Sequence, residues 1–138
     1  MGTKSLSVIM MGLMASAAFG SGFKCEGEEV RVKLFNHTNP HTGTRVPAAM
    51  VISTDAEGTL LVRKGDEIRK HNRRNTVQYV VDGNSKLAAD QAILQIRFKE
   101  GRETLEEGEV ASGQLILVSE ESDRSVTELA CERYLKSE

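Results

Sequence analysis

Short segments of alternating polar and apolar residues, separated by turn signals, constrain the fold of this chain more than any other feature. In "EVRVKLFN" (residues 29–36), Val30, Val32 and Leu34 lie at every second position. Because successive side chains of a strand point to opposite faces, this pattern predicts a half-buried β-strand. The other segments expected to be strands are residues 46–54, 59–63, 76–81, 92–98, 109–119 and 125–135, with a short edge strand within residues 102–108.

The turns between these segments favour an antiparallel arrangement. They are two to five residues long, as in the Asp82-Gly83 turn, and no βαβ alternation is visible. A small antiparallel meander removes its exposed edges when its first and last strands pair. We therefore expect an all-β fold, a small up-and-down barrel of about eight strands, with a two-sheet β-sandwich as the alternative. Residues 86–91 are ambiguous between a helical turn and a loop, and Gly113 is a candidate for a β-bulge.

The first twenty residues have the layout of a secretory signal peptide. Lys4 is their only charged residue, and an uncharged stretch at residues 5–19 is followed by small residues. A membrane span needs roughly 20 apolar residues. We therefore expect residues 1–20 to be removed before Ser21, residues 21–138 to form a single β domain without a transmembrane segment, and the protein to be periplasmic or secreted. The alternative is a hydrophobic helix that stays on the protein.

Two cysteines, Cys25 and Cys131, lie near opposite ends of the chain. In an exported protein they permit one intramolecular disulfide, which would link the first and last strands where the barrel closes. A link across a loop of this length stabilises by roughly 4–5 kcal/mol in the chain-entropy model. Two free thiols, a metal pair and an intermolecular bridge are the alternatives. A disulfide requires the two Cα atoms to lie within about 4.4–6.8 Å.

The densest group of cations is "RKHNRR", with Arg69, Lys70, His71, Arg73 and Arg74. Such a cluster can bind a phosphate, an anionic glycan or an acidic lipid headgroup. Aromatic residues that would stack on bases are missing beside it, so we do not expect nucleic acid as a partner. The alternative interpretation is a solvated loop.

Acidic residues gather in the segment "RETLEEGE". Glu103, Glu106, Glu107 and Glu109 are candidates for an acidic face that meets a basic partner protein through a complementary potential. The alternative is a surface that only keeps the protein soluble. The closely spaced oxygen ligands of a calcium loop are missing from this segment.

Neither a metal site nor a catalytic site is expected from the sequence. His37 and His41 are four positions apart, but Pro40 and Gly43 indicate a loop, where this spacing carries no geometric meaning. No nucleophile elbow, zinc-protease motif, phosphate-binding loop or Cys-His pair is present. We therefore predict no catalytic residue, no metal and no cofactor.

The early "FKCEG" stretch, together with the late cysteine, resembles the small periplasmic inhibitors of c-type lysozyme and other small exported proteins of Gram-negative bacteria. The inhibitor resemblance implies a closed β-barrel with a disulfide. That family inhibits through a Ser-Gly-x-x-Tyr stretch, whereas here Ser112-Gly113 is followed by Gln114, Leu115 and Ile116. The resemblance therefore implies the architecture and does not carry over the inhibitory residues.

These features together predict an exported, non-enzymatic binding module of the cell envelope. Its partner would be a protein, a glycan or a small ligand. The alternative is an inhibitor of a basic hydrolase such as lysozyme, acting through the acidic face. An envelope enzyme with an unrecognised site is the third hypothesis.

Overall fold

The computed structural model describes residues 21–38, 41–99, 105–106, 108–121 and 123–134. Nine strands and one 3₁₀ turn are formed, and the described residues contain no α-helix. The strands are β1 (Ser21–Glu26), β2 (Val30–Thr38), β3 (Arg45–Thr54), β4 (Gly58–Lys64), β5 (Arg69–Arg73), β6 (Thr76–Asp82), β7 (Gln91–Arg97), β8 (Val110–Val118) and β9 (Arg124–Tyr134), and the 3₁₀ turn is Gly65–Glu67. The prediction of an all-β fold is confirmed.

All nine strands belong to one antiparallel sheet, in the order β4-β3-β2-β1-β9-β8-β7-β6-β5. The sheet curls into a half-barrel, with β1 and β9 paired at its centre. The predicted barrel-like meander with paired first and last strands is therefore confirmed. Two of the strands, β1 and β5, lie outside the segments that the alternation predicts. β4 and β5 are consecutive in the chain but form the two edges of the sheet and do not pair with each other.

The predicted disulfide joins the two central strands. Cys25 of β1 and Cys131 of β9 lie directly opposite each other, and their sulfur atoms are bonded, with 106 positions between them in sequence. Their Cα atoms are 4.0 Å apart, slightly closer than the range expected for disulfides in general. Directly opposite residues of antiparallel strands come this close, to about 4.5 Å, in their non-hydrogen-bonded pairs. Both cysteines are completely buried.

One face of the curled sheet supplies the hydrophobic core. In β6 the alternating residues Val77, Tyr79 and Val81 are buried, as the sequence predicts. The rings of Phe23 and Phe98 approach with their centroids 6.0 Å apart. The remaining core is almost wholly aliphatic, and its completely buried members are Val32, Leu34, Met50, Ile52, Ala92, Leu94 and Ile96.

Gly113 makes room for the disulfide and does not form a bulge. The pairing of β8 with both neighbouring strands runs through Gly113 without a shift in register, so the bulge prediction was wrong. A Cβ atom at this position would lie 2.6 Å from Cys131 Sγ and 3.2 Å from the carbonyl oxygen of Gln95. The shifts in register occur instead between Phe35 and Asn36 and between Ile52 and Ser53.

Of the ambiguous segment 86–91, residues 86–90 belong to the connection that precedes β7, and Gln91 is the first residue of β7. Asn84 organises this turn through both ends of its side chain. Its Oδ1 accepts the N–H of Leu87 at 2.8 Å, and its Nδ2 donates to the carbonyl of Leu60 in β4 at 3.0 Å. Leu87 and Ala89 are buried, so the turn covers part of the core, and β7 then begins at Gln91.

Candidate functional site

The five basic residues of "RKHNRR" lie along one edge of the sheet. Arg69, Lys70, His71 and Arg73 belong to β5, and Arg74 follows in the two-residue turn to β6. The segment is therefore an edge strand with one turn residue, and the alternative interpretation as a loop was wrong. All five side chains are exposed. We call this set of five residues the basic edge.

The hydrogen bonds of β6 determine which backbone groups of β5 are used inside the sheet. The N–H of Phe98 donates to the carbonyl of Asn75 at 2.7 Å, so the backbone groups of Asn75 point toward β7. Successive residues of an antiparallel strand direct these groups to opposite sides. The N–H and C=O of Thr76, and of every second residue after it, therefore point toward β5.

The same alternation leaves two residues of β5 with their backbone groups directed away from the sheet. Arg69, His71 and Arg73 lie opposite the residues of β6 that point toward β5, and they form the ladder between the two strands. Lys70 and Asn72 lie between them, so their N–H and C=O groups point outward. The edge thus offers two donors and two acceptors of the main chain.

Few of the charges on this edge are engaged within the protein. Arg69 contacts the Asp82 carboxylate at 3.6 Å, and both side chains are largely exposed. Lys70, Arg73 and Arg74 make no ion pair with any other residue that the structure describes. Because these three side chains form no ion pair with the described residues, their charges are available to a ligand.

The opposite edge of the sheet, β4, is partly occupied by side-chain contacts. β6 extends beyond the start of β5, and Arg63 of β4 reaches this overhang. Its Nε and Nη2 donate to the carbonyls of Asp82 and Gly83, each at 3.0 Å. Asn84 donates to the Leu60 carbonyl from the same turn. Arg63 therefore ties the β4 edge to the end of β6, and Asn84 occupies one carbonyl of β4. Among the described residues no side chain makes a comparable hydrogen bond to the backbone of β5.

A row of amide side chains crosses the outer face of the sheet from β6 to β9. Gln78 Nε2 donates to Gln95 Oε1 at 2.6 Å, Gln95 Nε2 donates to Gln114 Oε1 at 3.3 Å, and Gln114 Nε2 donates to Glu128 Oε2 at 2.9 Å. His71 of the basic edge lies opposite Gln78 and extends the row. A shallow pocket of about 220 Å³ lies along this row, lined by Gln95, Arg97, Ser112, Gly113, Gln114 and Glu128.

The acidic residues of the predicted partner-binding face are only partly described. Glu103 and Glu107 lie outside the described residues. Glu109 accepts the N–H of Glu106 at 2.9 Å and approaches Lys99 Nζ at 3.8 Å, with 13% of its side chain exposed. Its carboxylate therefore stabilises a local turn by accepting this hydrogen bond. Inhibition of a basic hydrolase through this face stays a prediction, which an assay of lysozyme activity with micromolar amounts of this protein tests directly.

A second group of acids lies at the end of the sheet. Asp90, Glu120 and Glu121 line a cleft of about 560 Å³ between the β6–β7 and β8–β9 connections. His37 lies in β2 and His41 in the following turn. Within the described residues, no three His, Cys, Asp or Glu side chains come together in a way that could hold a metal ion.

Comparisons of this chain with protein-family models, with curated proteins and with solved structures find no match. The resemblance to lysozyme inhibitors stays a prediction. No helix in the described part of the chain has the length and apolar character needed to cross a lipid bilayer. The disulfide is consistent with a compartment outside the cytoplasm, where such bonds persist.

The sequence identified the basic residues of the site, but it did not indicate that their backbone forms an edge strand. The cluster of charges can be recognised in the sequence itself. Because every residue of β5 is exposed, the segment shows no alternation that would indicate a strand. The row of amides was missed as well. Gln78, Gln95 and Gln114 are far apart in sequence, and only the register of two strand pairs brings them into line.

Proposed function

We propose that this protein is an exported, non-enzymatic binding protein of the cell envelope, periplasmic or secreted, that holds an anionic ligand at the basic edge. The observation that carries the proposal is the exposure of every residue of β5 and of Arg74 after it, which places five basic residues along an open edge. The protein as a whole carries a net charge of −2. The basic edge is thus a local concentration of positive charge on an otherwise slightly acidic molecule.

Electrostatics gives the proposed interaction a characteristic dependence on salt. Each exposed cation contributes roughly 0.2–1 kcal/mol to an ion pair, so useful affinity requires several of them acting together. Five basic residues in six consecutive positions meet this requirement. The Debye length is about 10 Å at 0.1 M salt and about 3 Å at 1 M. Binding at the basic edge should therefore weaken steeply as salt is added.

Removing two cations tests the site. The protein is produced in a host that exports it, and its affinity for two fluorescent probes is measured by anisotropy. The probes are a glutamate-rich peptide and a sulfated oligosaccharide. The double variant Arg73→Gln/Arg74→Gln should bind at least one of the two probes about tenfold more weakly, since it loses two screened ion pairs.

The matched control removes two cations from another part of the surface. Lys86→Gln/Arg124→Gln changes the net charge by the same two units. Both side chains are exposed, and neither belongs to the basic edge, since Lys86 lies in the β6–β7 connection and Arg124 begins β9. This variant should bind nearly as well as the original protein. Equal weakening by both variants, or no binding of either probe, would overturn the proposal.

Export is tested separately by mass spectrometry of the protein recovered from outside the cytoplasm. The expected species begins at Ser21 and is lighter by two hydrogens because Cys25 and Cys131 are joined. Recovery of the full-length chain from the cytoplasm alone would contradict the exported location.

A further inference from the structure

We infer that the anionic ligand is an acidic polypeptide segment that adds to the sheet as a further strand alongside β5. This inference rests on the proposed function, because it names the partner of the same basic edge. Addition of an extended peptide to a sheet edge uses main-chain hydrogen bonds for affinity and side chains for specificity. The basic edge offers both kinds of contact.

The main-chain contacts come from Lys70 and Asn72. Their N–H and C=O groups point away from β6, as the ladder between β5, β6 and β7 requires. Both residues are exposed, so no other segment among the described residues covers these groups. An incoming strand can therefore form up to four hydrogen bonds with β5.

The side-chain contacts favour acidic residues on both faces of the incoming strand. Arg69, His71 and Arg73 share one face of β5, and Lys70 lies on the other face together with Asn72. Side chains that lie directly opposite across a strand pair have Cβ atoms about 4.5–5.5 Å apart, and opposite charges at this distance attract. A segment rich in Glu or Asp would therefore meet a cation from either face.

The same charges oppose the pairing of two copies of this chain. Two β5 edges brought together would place cation against cation, and like charges directly opposite each other are destabilising. Lysine and arginine on an edge strand are a recognised protection against self-association. The charges of the basic edge thus disfavour pairing with a second copy of the chain and favour pairing with a strand of opposite charge.

A glycan fits this edge less well than a peptide does. Sugars and bases gain affinity by stacking on exposed aromatic rings, and the aromatic residue of the neighbouring strand, Tyr79, is only 2% exposed. A sulfated sugar would use the cations but would leave the outward groups of Lys70 and Asn72 without partners. A polypeptide uses both.

The test separates the contribution of the backbone from that of charge. The variant Asn72→Pro removes an N–H that points outward and places a ring at the edge. Proline is tolerated on edge strands when its missing N–H faces solvent, so the β5–β6 ladder should persist. Asn72→Ala is the matched control, because it removes the same side chain but keeps the N–H. Neither substitution changes the net charge.

The probe is a fluorescently labelled ten-residue peptide in which Glu-Glu and Thr-Thr pairs alternate, so that an extended strand carries Glu on both faces. We expect Asn72→Pro to weaken its binding about tenfold or more, since one main-chain hydrogen bond is lost and the ring blocks the close approach of the strand. Asn72→Ala should change it little. The sulfated oligosaccharide should bind both variants alike. Circular dichroism and the intact disulfide verify that the variants fold.

A second measurement does not depend on the folding of any variant. The same peptide with N-methyl groups on alternate residues has the same charge but fewer N–H donors and a blocked edge. It should bind the unaltered protein about tenfold more weakly than the parent peptide. In hydrogen exchange, the amides of Lys70 and Asn72 should become protected when the parent peptide is added, whereas those of His71 and Arg73 are already protected without it.

The outcomes distinguish this inference from the proposed function. If Arg73→Gln/Arg74→Gln weakens binding but Asn72→Pro and N-methylation do not, side chains alone hold an anion, and the strand addition is overturned while the proposed function stands. If the oligosaccharide binds more tightly than the peptide, the ligand is a glycan and the strand addition is likewise overturned. If neither probe binds, the cations only prevent self-association, and both proposals fall.

Discussion

At the scale of single residues, Gly113 decides whether the disulfide fits. A Cβ atom at this position would lie 2.6 Å from Cys131 Sγ, and overpacking of a core typically costs about 1–3 kcal/mol. We predict that Gly113→Ala lowers the free energy of unfolding by this amount, measured by urea denaturation. Ser112→Ala, at the neighbouring exposed position, should change it by less than about 0.5 kcal/mol.

The same substitution in a variant without the disulfide identifies the origin of this loss of stability. In the variant Cys25→Ala/Cys131→Ala the sulfur atom is gone, so most of the penalty of Gly113→Ala should disappear. An equal penalty in both backgrounds would contradict our explanation. It would assign the cost to the carbonyl of Gln95, which lies 3.2 Å from the same Cβ position.

Tyr79 should make the protein sensitive to alkaline pH. Burial raises the pKa of its phenol above the ordinary value, so the folded protein keeps this proton at a pH where the unfolded chain loses it. In an unfolded chain a tyrosine phenol titrates at about pH 10. The contribution of Tyr79 to stability is therefore fully present below about pH 10 and is lost as the pH rises further.

The variant Tyr79→Phe should remove this part of the pH dependence. The hydroxyl has no hydrogen-bond partner among the described residues, so its loss should cost little at about pH 8. Urea midpoints measured between about pH 8 and pH 11, on both sides of the ordinary tyrosine pKa, compare the two proteins. Parallel decreases in both proteins at the alkaline end would show that other groups are responsible.

At the scale of elements, the amide row couples four strands through side chains. Gln95 accepts from Gln78 and donates to Gln114, so Gln95→Ala removes two hydrogen bonds. We predict that the free energy of unfolding falls by about 1–2 kcal/mol, as measured by urea denaturation. Gln91 lies on the same strand and the same face, and its side chain makes no hydrogen bond with a described residue. Gln91→Ala should therefore cost much less, and equal costs would contradict a role for the row.

The sequence predicts those strands that bury one face. β2 and β6 alternate because Val32 and Leu34, or Val77 and Tyr79, must reach the core while their neighbours do not. β5 has no buried residue and therefore no alternation to detect. β1 is short, and its paired apolar positions, such as Phe23 and Cys25, are too few to establish a period.

The candidate site, like the fold, could be predicted from the sequence only in part. A cluster of cations is a local property, so residues 69–74 could be recognised without knowledge of the fold. The outward direction of the Lys70 and Asn72 backbone groups depends on the register of β5 against β6 and of β6 against β7. The register of β5 against β6 depends on the length of the turn between them, and it could not be predicted because residues 69–73 carry no alternation that would identify them as a strand.

At the scale of the whole molecule, the disulfide between Cys25 and Cys131 joins strands that are distant in sequence but central in the sheet. Its loop spans 106 positions, and we predict that Cys25→Ala/Cys131→Ala lowers the free energy of unfolding by roughly 3–5 kcal/mol. Urea denaturation with and without dithiothreitol measures this. The reductant should destabilise the original protein but not the double variant.

Burial of the sulfur atoms adds a kinetic expectation. Both cysteines are completely buried, so thiolate attack requires prior opening of the protein. Dithiothreitol without denaturant should therefore leave the bond intact for much longer than dithiothreitol in urea. Equally fast reduction under both conditions would show that the bond is accessible in the folded state.

The placement of this bond makes the chain a covalent ring over most of its length. The sheet has its two edges at β4 and β5, which are joined only by the Gly65–Glu67 turn. A protease that cuts this turn would separate no pair of neighbouring strands, and the two pieces would remain tied through Cys25 and Cys131. The gap between the two edges of the sheet therefore lies in the middle of the sequence, and the chain can be cut there without falling into two molecules.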